Sequence, residues 1–288
     1  MLRAAGVQAE AFETTGAGNA TTQANEAVRR GCDAVIACGG DGTVHEVLQA
    51  LVGTDVALGV IPLGTANALA ADLGLVGVPG KVAAKLLDAI ATCVPTGLIH
   101  YQDQNGQANS RHFLVAAGVG ADALLMSRLD SRLKRRLGYI LYVIEAFRIW
   151  ATHPFPLFDT EVTEGTTDAR RVLEVSQLLA VRVRSFGGAL QQLAPGATLH
   201  SNKLHLLAFR TRSRLRYMMF LLAVLAGKHT FKREVELVEA NTVECHAHNG
   251  SQERLFVEAD GEVLGSLPAR MEVVPQAVKL LIPRDARP

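Results

Sequence analysis

The chain has 288 residues, of which 49% are hydrophobic and 20% are charged. This composition describes an ordinary globular chain with ample material for a core, and it excludes a disordered protein. The 29 basic and 28 acidic side chains nearly cancel, so no general electrostatic field points to nucleic acid as a partner.

The first element with a chemical signature is a strand followed by a helix. Residues 34–37 form a short, partly β-branched apolar run, which predicts a buried strand of a parallel sheet. Apolar residues then recur at the spacing of one helix face, while the other side of the helix is polar. The apolar face comprises Val44, Val47, Leu48 and Leu51, and the polar side comprises His45, Glu46 and Gln49.

Three glycines and an aspartate occupy the junction of this strand and helix, which reads Gly39-Gly40-Asp41-Gly42-Thr43. Unpaired backbone N–H groups and the helix dipole attract phosphate at such a junction, and glycine lets a ligand approach the backbone closely. Ligands of open α/β sheets bind at these strand ends. We therefore predict that this turn binds a nucleotide.

A second unit of the same kind follows. Residues 56–61 predict a strand, which ends in Pro62-Leu63-Gly64-Thr65-Ala66-Asn67 before helical sequence resumes. Its distance from the first unit, about 25 residues, is typical of a βα repeat. A helix is predicted over 81–92, and Pro95-Thr96-Gly97 is predicted to end it.

Beyond this point candidate strands come in close succession, which favours an antiparallel sandwich or barrel. They lie at 98–102, 112–117, 158–163, 172–183, 204–210, 234–239, 242–248, 255–264 and 270–274, with helices at 121–150 (with a break near Arg135) and 213–227. The predicted fold class is therefore α/β plus all-β. An N-terminal nucleotide-binding α/β domain covers 1–96, and a C-terminal antiparallel β-sandwich domain with inserted helices covers 97–275. The segment 276–288 is expected to pack back on the first domain.

Three motifs in this order resemble the diacylglycerol kinase catalytic-domain family, whose relatives include bacterial soluble lipid kinases and sphingosine and ceramide kinases. They are the Gly39–Thr43 turn with Glu46, residues 62–67, and Asp260-Gly261-Glu262. The likeness covers nearly the whole chain, including 118–123 and 227–229. NAD kinases and phosphofructokinases share the glycine-aspartate turn alone, but the three motifs together are specific. The family combines a nucleotide-binding α/β domain of that type with a β-sandwich, and its active site lies between them.

The resemblance implies a kinase that uses ATP and Mg²⁺ to phosphorylate a lipid hydroxyl, such as that of diacylglycerol. It implies nucleotide contacts at Thr14, Gly39, Gly40, Asp41, Gly42, Thr43, Thr65 and Asn67. Glu262 is the better match to the family's proton acceptor, and Asp260 is a rival. In sphingosine kinases the base role has instead been given to the aspartate that matches Asp41.

Two departures from the family pattern affect these expectations. Family members open with a strand and an Asn-Pro-x-Ser-Gly loop that helps to bind phosphate. This sequence begins after that point. We therefore expect its nucleotide site to be incomplete. Bacterial members also hold a structural magnesium with an aspartate and flanking carbonyls. Asn202-Lys203 stands at that position, between Leu199 and Leu204. A neutral amide is a weaker ligand for a hard cation, so we expect that magnesium to be weak or absent.

Each motif also has a purely structural interpretation. In this interpretation Asp41, Thr65 and Asn67 are helix caps without a role in ligand binding. Asp260-Gly261 is then a hairpin turn without a catalytic role. His45 is expected in solvent or behind the site rather than in catalysis. Two other functions stay open: a NAD kinase-like kinase of a soluble substrate, and a catalytically impaired lipid-binding relative.

Two basic clusters precede apolar runs and suggest docking on anionic lipid headgroups, with a solvated face as an equally good alternative. They are Arg128, Arg132, Lys134, Arg135 and Arg136 before 137–142, and Arg212, Arg214 and Arg216 before 217–222. The partner expected is thus a lipid substrate at a membrane surface, and a homodimer is compatible with the sequence.

Cysteine usage and the absence of a signal peptide predict a cytoplasmic protein, with peripheral binding to the inner face of the membrane. Cys32, Cys38, Cys93 and Cys245 have no metal-binding spacing and are expected to be reduced and mostly in the core. The longest apolar run, 218–226, is shorter than the roughly 20 residues that cross a bilayer.

Overall fold

The computed structural model describes residues 2–128, 139–165, 169–186, 193–225, 234–248 and 254–286. The helices are α1 (Asn19–Arg29), α2 (Asp41–Leu51), α3 (Ala68–Asp72), α4 (Pro79–Leu87), α5 (Ala121–Arg128), α6 (Tyr139–Thr152) and α7 (Arg214–Leu225). The strands are β1 (Ala34–Gly39), β2 (Ala57–Pro62), β3 (Ile90–Gln102), β4 (Ala108–Phe113), β5 (Ala116–Val119), β6 (Phe158–Glu164), β7 (Ala169–Val175), β8 (Gln177–Val181), β9 (Leu204–Phe209), β10 (Val235–Ala240), β11 (Thr242–Ala247), β12 (Phe256–Ala259) and β13 (Glu262–Ile282).

The N-terminal part is an α/β domain, as predicted. β1 and β2 are parallel and in register from Ala34 opposite Ala57 to Gly39 opposite Pro62. The apolar face of α2 is buried against them, which confirms the helix expected from its periodicity. The core of this domain is built from side chains such as Leu48, Leu58 and Leu69.

The C-terminal part is an antiparallel all-β domain, also as predicted. In the described residues its strands follow the order β10-β9-β8-β5-β12-β13-β11-β6-β7. A second core lies on its inner face, with Phe113, Phe158 and Met271 fully buried. The long strand β13 belongs to both parts, because it pairs antiparallel with β3 and β11 and, at Lys279 and Leu280, parallel with β2.

The predicted helix over 81–92 is wrong in its second half. α4 ends at Leu87, and residues from Ile90 onward form β3 against the far end of β13. Pro95 was expected to end an element, but it lies inside this strand. It is tolerated because the partner strand shifts register between Val274 and Val278, so the missing N–H falls at an irregular point of the ladder.

Other elements were predicted with the right type but the wrong continuity. The strand expected over 172–183 is two strands, β7 and β8, and the one over 255–264 is a hairpin of β12 and β13. The helix over 121–150 is described as α5 and α6, and the predicted break near Arg135 lies outside the described residues.

The expectation that the cysteines are mostly core residues is wrong. All four thiols are free, but only Cys245 is buried, whereas Cys38 and Cys93 are exposed. Cys38 belongs to β1, which pairs only with β2 among the described strands, so part of this strand faces solvent. Within the described ranges, no helix has the length and apolar character needed to span a membrane.

Candidate active site

The two glycine turns lie side by side because β1 and β2 are parallel neighbours that end together. Asp41, the first residue of α2, joins the turns. Its carboxylate oxygens accept hydrogen bonds from the backbone N–H groups of Asn67 (2.9 Å) and Ala68 (2.8 Å). Asp41 therefore caps the start of α3, the helix of the neighbouring βα unit.

Close contact between glycines fixes the shape of the paired turns. A Cβ on Gly64 would lie only 2.6 Å from the Cα of Gly40 and 2.8 Å from Asn67 Oδ1. Asn67 has a left-handed backbone (φ 52°), accepts a hydrogen bond from the Gly64 N–H and donates one to the Gly64 carbonyl. Residues 63–66 between them are exposed, so a ligand can reach Thr65.

Glu46 connects the loop that carries Thr14 to this site. Its carboxylate accepts hydrogen bonds from the N–H groups of Gly18 (2.9 Å) and Ala20 (3.0 Å), at the start of α1. A carboxylate of α2 thus caps α1 and interacts favourably with its dipole. Thr14 itself is exposed in the loop that precedes α1.

Asp260 is an anchor inside the β-domain. It occupies the hairpin turn between β12 and β13 with a left-handed backbone (φ 48°), and its side chain is buried. Its carboxylate accepts hydrogen bonds from the N–H groups of Leu114 (3.0 Å), Val115 (2.9 Å) and Ala116 (3.1 Å). These bonds fix the segment between β4 and β5, so the carboxylate is committed to the protein backbone.

Glu262 lies where the β-domain meets the glycine turn. A Cβ on Gly42 would be 3.0 Å from Glu262 Oε1, so the carboxylate lies directly against the first turn of α2. Burial raises the pKa of Glu262, while the charges of His45 and Arg111 act in the opposite direction. Glu262, from the β-domain, therefore lies beside the residue that follows Asp41 in the α/β domain.

His45 is not in solvent, because its side chain is only 2% exposed. Its Nδ1 lies 3.3 Å from Asp260 Oδ2. Burial by itself lowers the pKa of His45, but the hydrogen bond and charge of Asp260, together with the charge of Glu262, outweigh it and raise that pKa. The residue thus lies behind the acidic motif, which was one of the two placements expected.

Two buried carboxyl groups near the motif Asp260-Gly261-Glu262 were missed in the sequence analysis. Asp122, at the start of α5, has its pKa raised to about 7 by burial. Glu258, on β12, has its pKa raised by burial and by the charge of Asp122, and its Oε2 accepts the Gly261 N–H (2.9 Å). Asp122 lies in the glycine-rich segment 118–123, which was noted for its resemblance but given no role.

The residues proposed for a structural magnesium do not fit a divalent cation here. The carbonyl of Leu199 accepts a hydrogen bond from the buried guanidinium of Arg182 (3.2 Å). The Asn202 side chain is exposed, and Leu204 belongs to β9, opposite Ala240. No cluster of three or more His, Cys, Asp or Glu side chains suited to a metal occurs in the described part of the chain. Arg182 was missed, although a charged residue within the apolar run 178–183 was a usable signal.

Comparison with known proteins covers both parts of the chain. The model of the diacylglycerol kinase catalytic domain matches residues 1–99, and that of the YegS C-terminal NAD kinase beta sandwich-like domain matches residues 114–282. A diacylglycerol kinase of Bacillus subtilis (strain 168) is 29% identical over 283 residues, which are 98% of this chain and 88% of the relative. One of Mycobacterium tuberculosis (strain H37Rv) is 34% identical over 265 residues, 90% of this chain and 79% of the relative.

A solved structure supports the same fold. The crystal structure of a diacylglycerol kinase from Bacillus anthracis superposes with a TM-score of 0.66 at 17% identity, over 96% of this chain and 85% of that one. One matching model spans more than half of the chain, and one relative is 34% identical over nine tenths of it. The chain belongs to the diacylglycerol kinase catalytic-domain family.

Proposed function

We propose that this chain is an ATP-dependent lipid kinase that transfers the γ-phosphoryl group to a lipid hydroxyl, with diacylglycerol as the first candidate acceptor. The observation that carries the proposal is the position of Glu262. A carboxylate of the β-domain faces Gly42 in the glycine turn of the α/β domain, with 3.0 Å between Oε1 and the place of a Cβ on that glycine. The names of the relatives, diacylglycerol kinases, support the choice of acceptor.

The paired turns supply the phosphate site in this proposal. Backbone N–H groups from Gly39 to Thr43 and the hydroxyl of Thr65 bind the phosphates, at the positive end of the α2 dipole. Asp41 holds the two turns together through Asn67 and Ala68. With ATP bound, the remaining lone pairs of this carboxylate would hold the accompanying Mg²⁺, which would supply positive charge to the phosphates.

Glu262 is the proton acceptor. As the lipid hydroxyl oxygen bonds to the γ-phosphorus, the bond to the β–γ bridging oxygen breaks, ADP leaves, and the hydroxyl proton passes to the Glu262 carboxylate. Burial raises the pKa of Glu262, which makes it a better proton acceptor at neutral pH. The positive charge of His45 opposes this shift.

An exposed apolar stripe on α7 supports access to a membrane. Leu215, Met219 and Leu222 follow one another at helical spacing and are 67%, 56% and 57% exposed. The opposite face of the helix is packed, since Tyr217 stacks on Phe209 with ring centroids 5.0 Å apart. Exposed arginines flank the stripe at the start of α7, where Trp150 Nε1 of α6 donates to the Arg214 carbonyl. Of the other basic cluster only Arg128 is described; Arg132, Lys134, Arg135 and Arg136 lie outside the described residues.

The membrane part of the proposal predicts a loss of vesicle binding when the stripe is charged. Met219→Asp should lower cosedimentation with anionic vesicles several-fold, because the apolar contact is lost and the new charge is repelled. Val172→Asp, at an equally exposed valine on β7, is the matched control and should bind normally. Equal binding of both variants and the wild type would contradict the docking surface.

The catalytic part is tested with Glu262→Gln against Glu272→Gln, a change on the same strand whose carboxylate pairs with His100 and Arg270. Transfer of labelled phosphate from ATP to diacylglycerol in vesicles should fall about 10²–10⁴-fold in Glu262→Gln and little in the control. ATP binding, measured by calorimetry, should remain in both. Transfer to NAD without added lipid would instead assign a soluble acceptor, and lipid binding without ATP binding would indicate an impaired relative.

A further inference from the structure

A buried arginine of the β-domain binds backbone carbonyls instead of carboxylates. Arg182, which follows β8, is fully buried. Its Nη2 lies within hydrogen-bond distance of three carbonyl oxygens, those of Pro95 (3.0 Å), Leu199 (3.2 Å) and Ser201 (3.2 Å). Its Nε and Nη1 have no hydrogen-bond partner among the described residues. The fixed partners of this guanidinium are therefore carbonyl dipoles, which are also among the ligands of hard metal ions such as Ca²⁺.

The guanidinium keeps its charge in this position. Burial lowers the pKa of Arg182 to about 10, and the negative charge of Asp260 acts in the opposite direction. A guanidinium stays protonated in proteins at neutral pH, so its charge does not depend on this shift. A buried charge without compensation is costly, so the convergence of three carbonyls and the charge of Asp260 explain how it is tolerated.

The loop of residues 199–203, which supplies two of these carbonyls, has no carboxylate ligand for a divalent cation. Asn202 contributes an exposed, neutral side chain, and Lys203 carries a positive charge that pairs with Glu239 (2.9 Å). The carbonyls of Leu199 and Ser201 already point at Arg182. A metal ion bound by these carbonyls would lie next to a fixed positive charge, and the two would repel each other.

We infer that the guanidinium of Arg182 is the resident cation of this loop: it takes the place of a structural divalent cation and holds the 199–201 segment against β3. Folding of the β-domain is then independent of Mg²⁺, and the requirement of this chain for a divalent cation is confined to the nucleotide. The inference concerns the framework of the β-domain and does not depend on the proposed lipid kinase activity.

The first test needs no substitution. Without nucleotide, the Tm of the full chain should be the same in EDTA and in millimolar Mg²⁺, as measured by calorimetry. With ATP present, Mg²⁺ should raise the Tm, because only the nucleotide complex binds it. A Mg²⁺-dependent rise of the Tm in the absence of nucleotide would overturn the inference.

The second test exchanges the two kinds of cation. Arg182→Leu should lower the Tm by on the order of 10 °C, because the loop carbonyls lose their buried partner. Arg29→Leu, the same change at an exposed position of α1, should have little effect. In the double variant Arg182→Leu/Asn202→Asp, added Mg²⁺ should restore part of the lost Tm. Asn202→Asp alone should remain insensitive to Mg²⁺, since Arg182 still occupies the carbonyls.

The Tm values of the variants decide whether the inference holds. A Tm of Arg182→Leu equal to that of the wild type would overturn the inference, and so would a double variant that Mg²⁺ does not stabilise. Should Arg182→Leu fail to fold, Arg182→Lys retains the charge with fewer donors, and a folded protein with a modestly lowered, Mg²⁺-independent Tm is expected. A Mg²⁺-dependent Tm of Arg182→Lys would count against the inference.

Discussion

Replacing the two acidic residues of the hairpin motif should separate an anchor from a proton acceptor. Asp260→Asn and Glu262→Gln both replace a carboxylate by an amide of the same shape. We expect Asp260→Asn to lose stability and, through it, activity. We expect Glu262→Gln to lose activity while keeping its stability. The reason is that the Asp260 carboxylate is bonded to the backbone of 114–116, whereas the Glu262 carboxylate lies against Gly42 of the glycine turn.

The size of the loss follows from the hydrogen bonds. Asp260 Oδ1 accepts the N–H groups of Val115 and Ala116, and Oδ2 accepts that of Leu114. An asparagine keeps one acceptor oxygen. If this oxygen takes the place of Oδ1, the bonds from Val115 and Ala116 weaken from charge-assisted to neutral. The bond from Leu114 is lost, because the side-chain NH2 group then faces the Leu114 N–H. With charged bonds contributing about 1.5–3 kcal/mol and neutral ones about 1 kcal/mol, two weakened bonds and one lost bond should lower the free energy of unfolding by roughly 2.5–7 kcal/mol.

Glu262 has the opposite energetics. Burial raises the pKa of Glu262, which means that its ionised form is disfavoured in the folded protein. Glu262→Gln removes this cost, so the free energy of unfolding should stay the same or rise slightly. Urea unfolding of both variants, followed by fluorescence, gives the stability, and transfer of labelled phosphate to diacylglycerol gives the activity. An Asp260→Asn variant with wild-type stability and no transfer would refute the reasoning and would make Asp260 the proton acceptor.

Three other predictions concern the phosphate turns, the base and the buried carboxyl group. Gly64→Ala should weaken ATP binding at least about tenfold by calorimetry, because the new methyl would lie 2.6 Å from the Cα of Gly40 in the phosphate site; unchanged affinity would contradict the paired-turn geometry. His45→Asn should move the acidic limb of the kcat/KM profile to higher pH, since the positive charge of His45 lowers the pKa of Glu262; an unmoved limb would exclude this coupling. Asp122 has a folded-state pKa of about 7, raised above the unfolded value, so its contribution to stability is complete below about pH 4 and is lost as the pH rises through 7. The pKa of Glu258 is raised partly by the charge of Asp122, so the two groups titrate together; Asp122→Asn should reduce the fall of the free energy of unfolding with rising pH in urea unfolding, and equal slopes for the wild type and the variant would contradict it.

Local patterns predicted the strand and the helix on either side of the glycine turn, because those patterns are themselves local. The run 34–37 and the apolar spacing from Val44 to Leu51 are sufficient for a strand and a helix. The glycines between them mark the junction. Where a pattern fitted two structures, tertiary pairing decided: residues 90–92 continue a helical pattern in sequence but pair with β13, and Pro95 fits a strand because its partner strand is irregular there.

The partners of polar side chains could not be predicted in the same way, since periodicity shows which side of a helix is polar but not what covers it. Glu46 caps a different helix, and Asp41 caps the helix after the next strand. Asp260 was considered as a base or a simple turn residue, and its three backbone partners lie 144, 145 and 146 residues earlier in the chain. In the sequence, Arg182 only interrupts an apolar run. Its role becomes visible when the structure shows the carbonyls of Pro95 and Leu199 around it.

One side of α2 determines how the two domains meet. Gly42, His45 and Gln49 are spaced at i, i+3 and i+7, so they lie along one side of the helix. Gly42 lies against Glu262, His45 bonds to Asp260, and Gln49 exchanges hydrogen bonds with the backbone of His112 at 2.9 and 3.0 Å.

The helix that begins at the phosphate turn therefore contacts the β-domain three times within two turns. In this arrangement the distance from the phosphate site to the acidic motif is set by a single rigid element. A shift of α2 by one residue would rotate its interface by about 100° and separate Gly42 from Glu262, while leaving both motifs intact in sequence. The polar side of α2 is thus better explained as a domain interface than as a solvated surface, and the glycine at position 42 allows Glu262 to approach the helix closely.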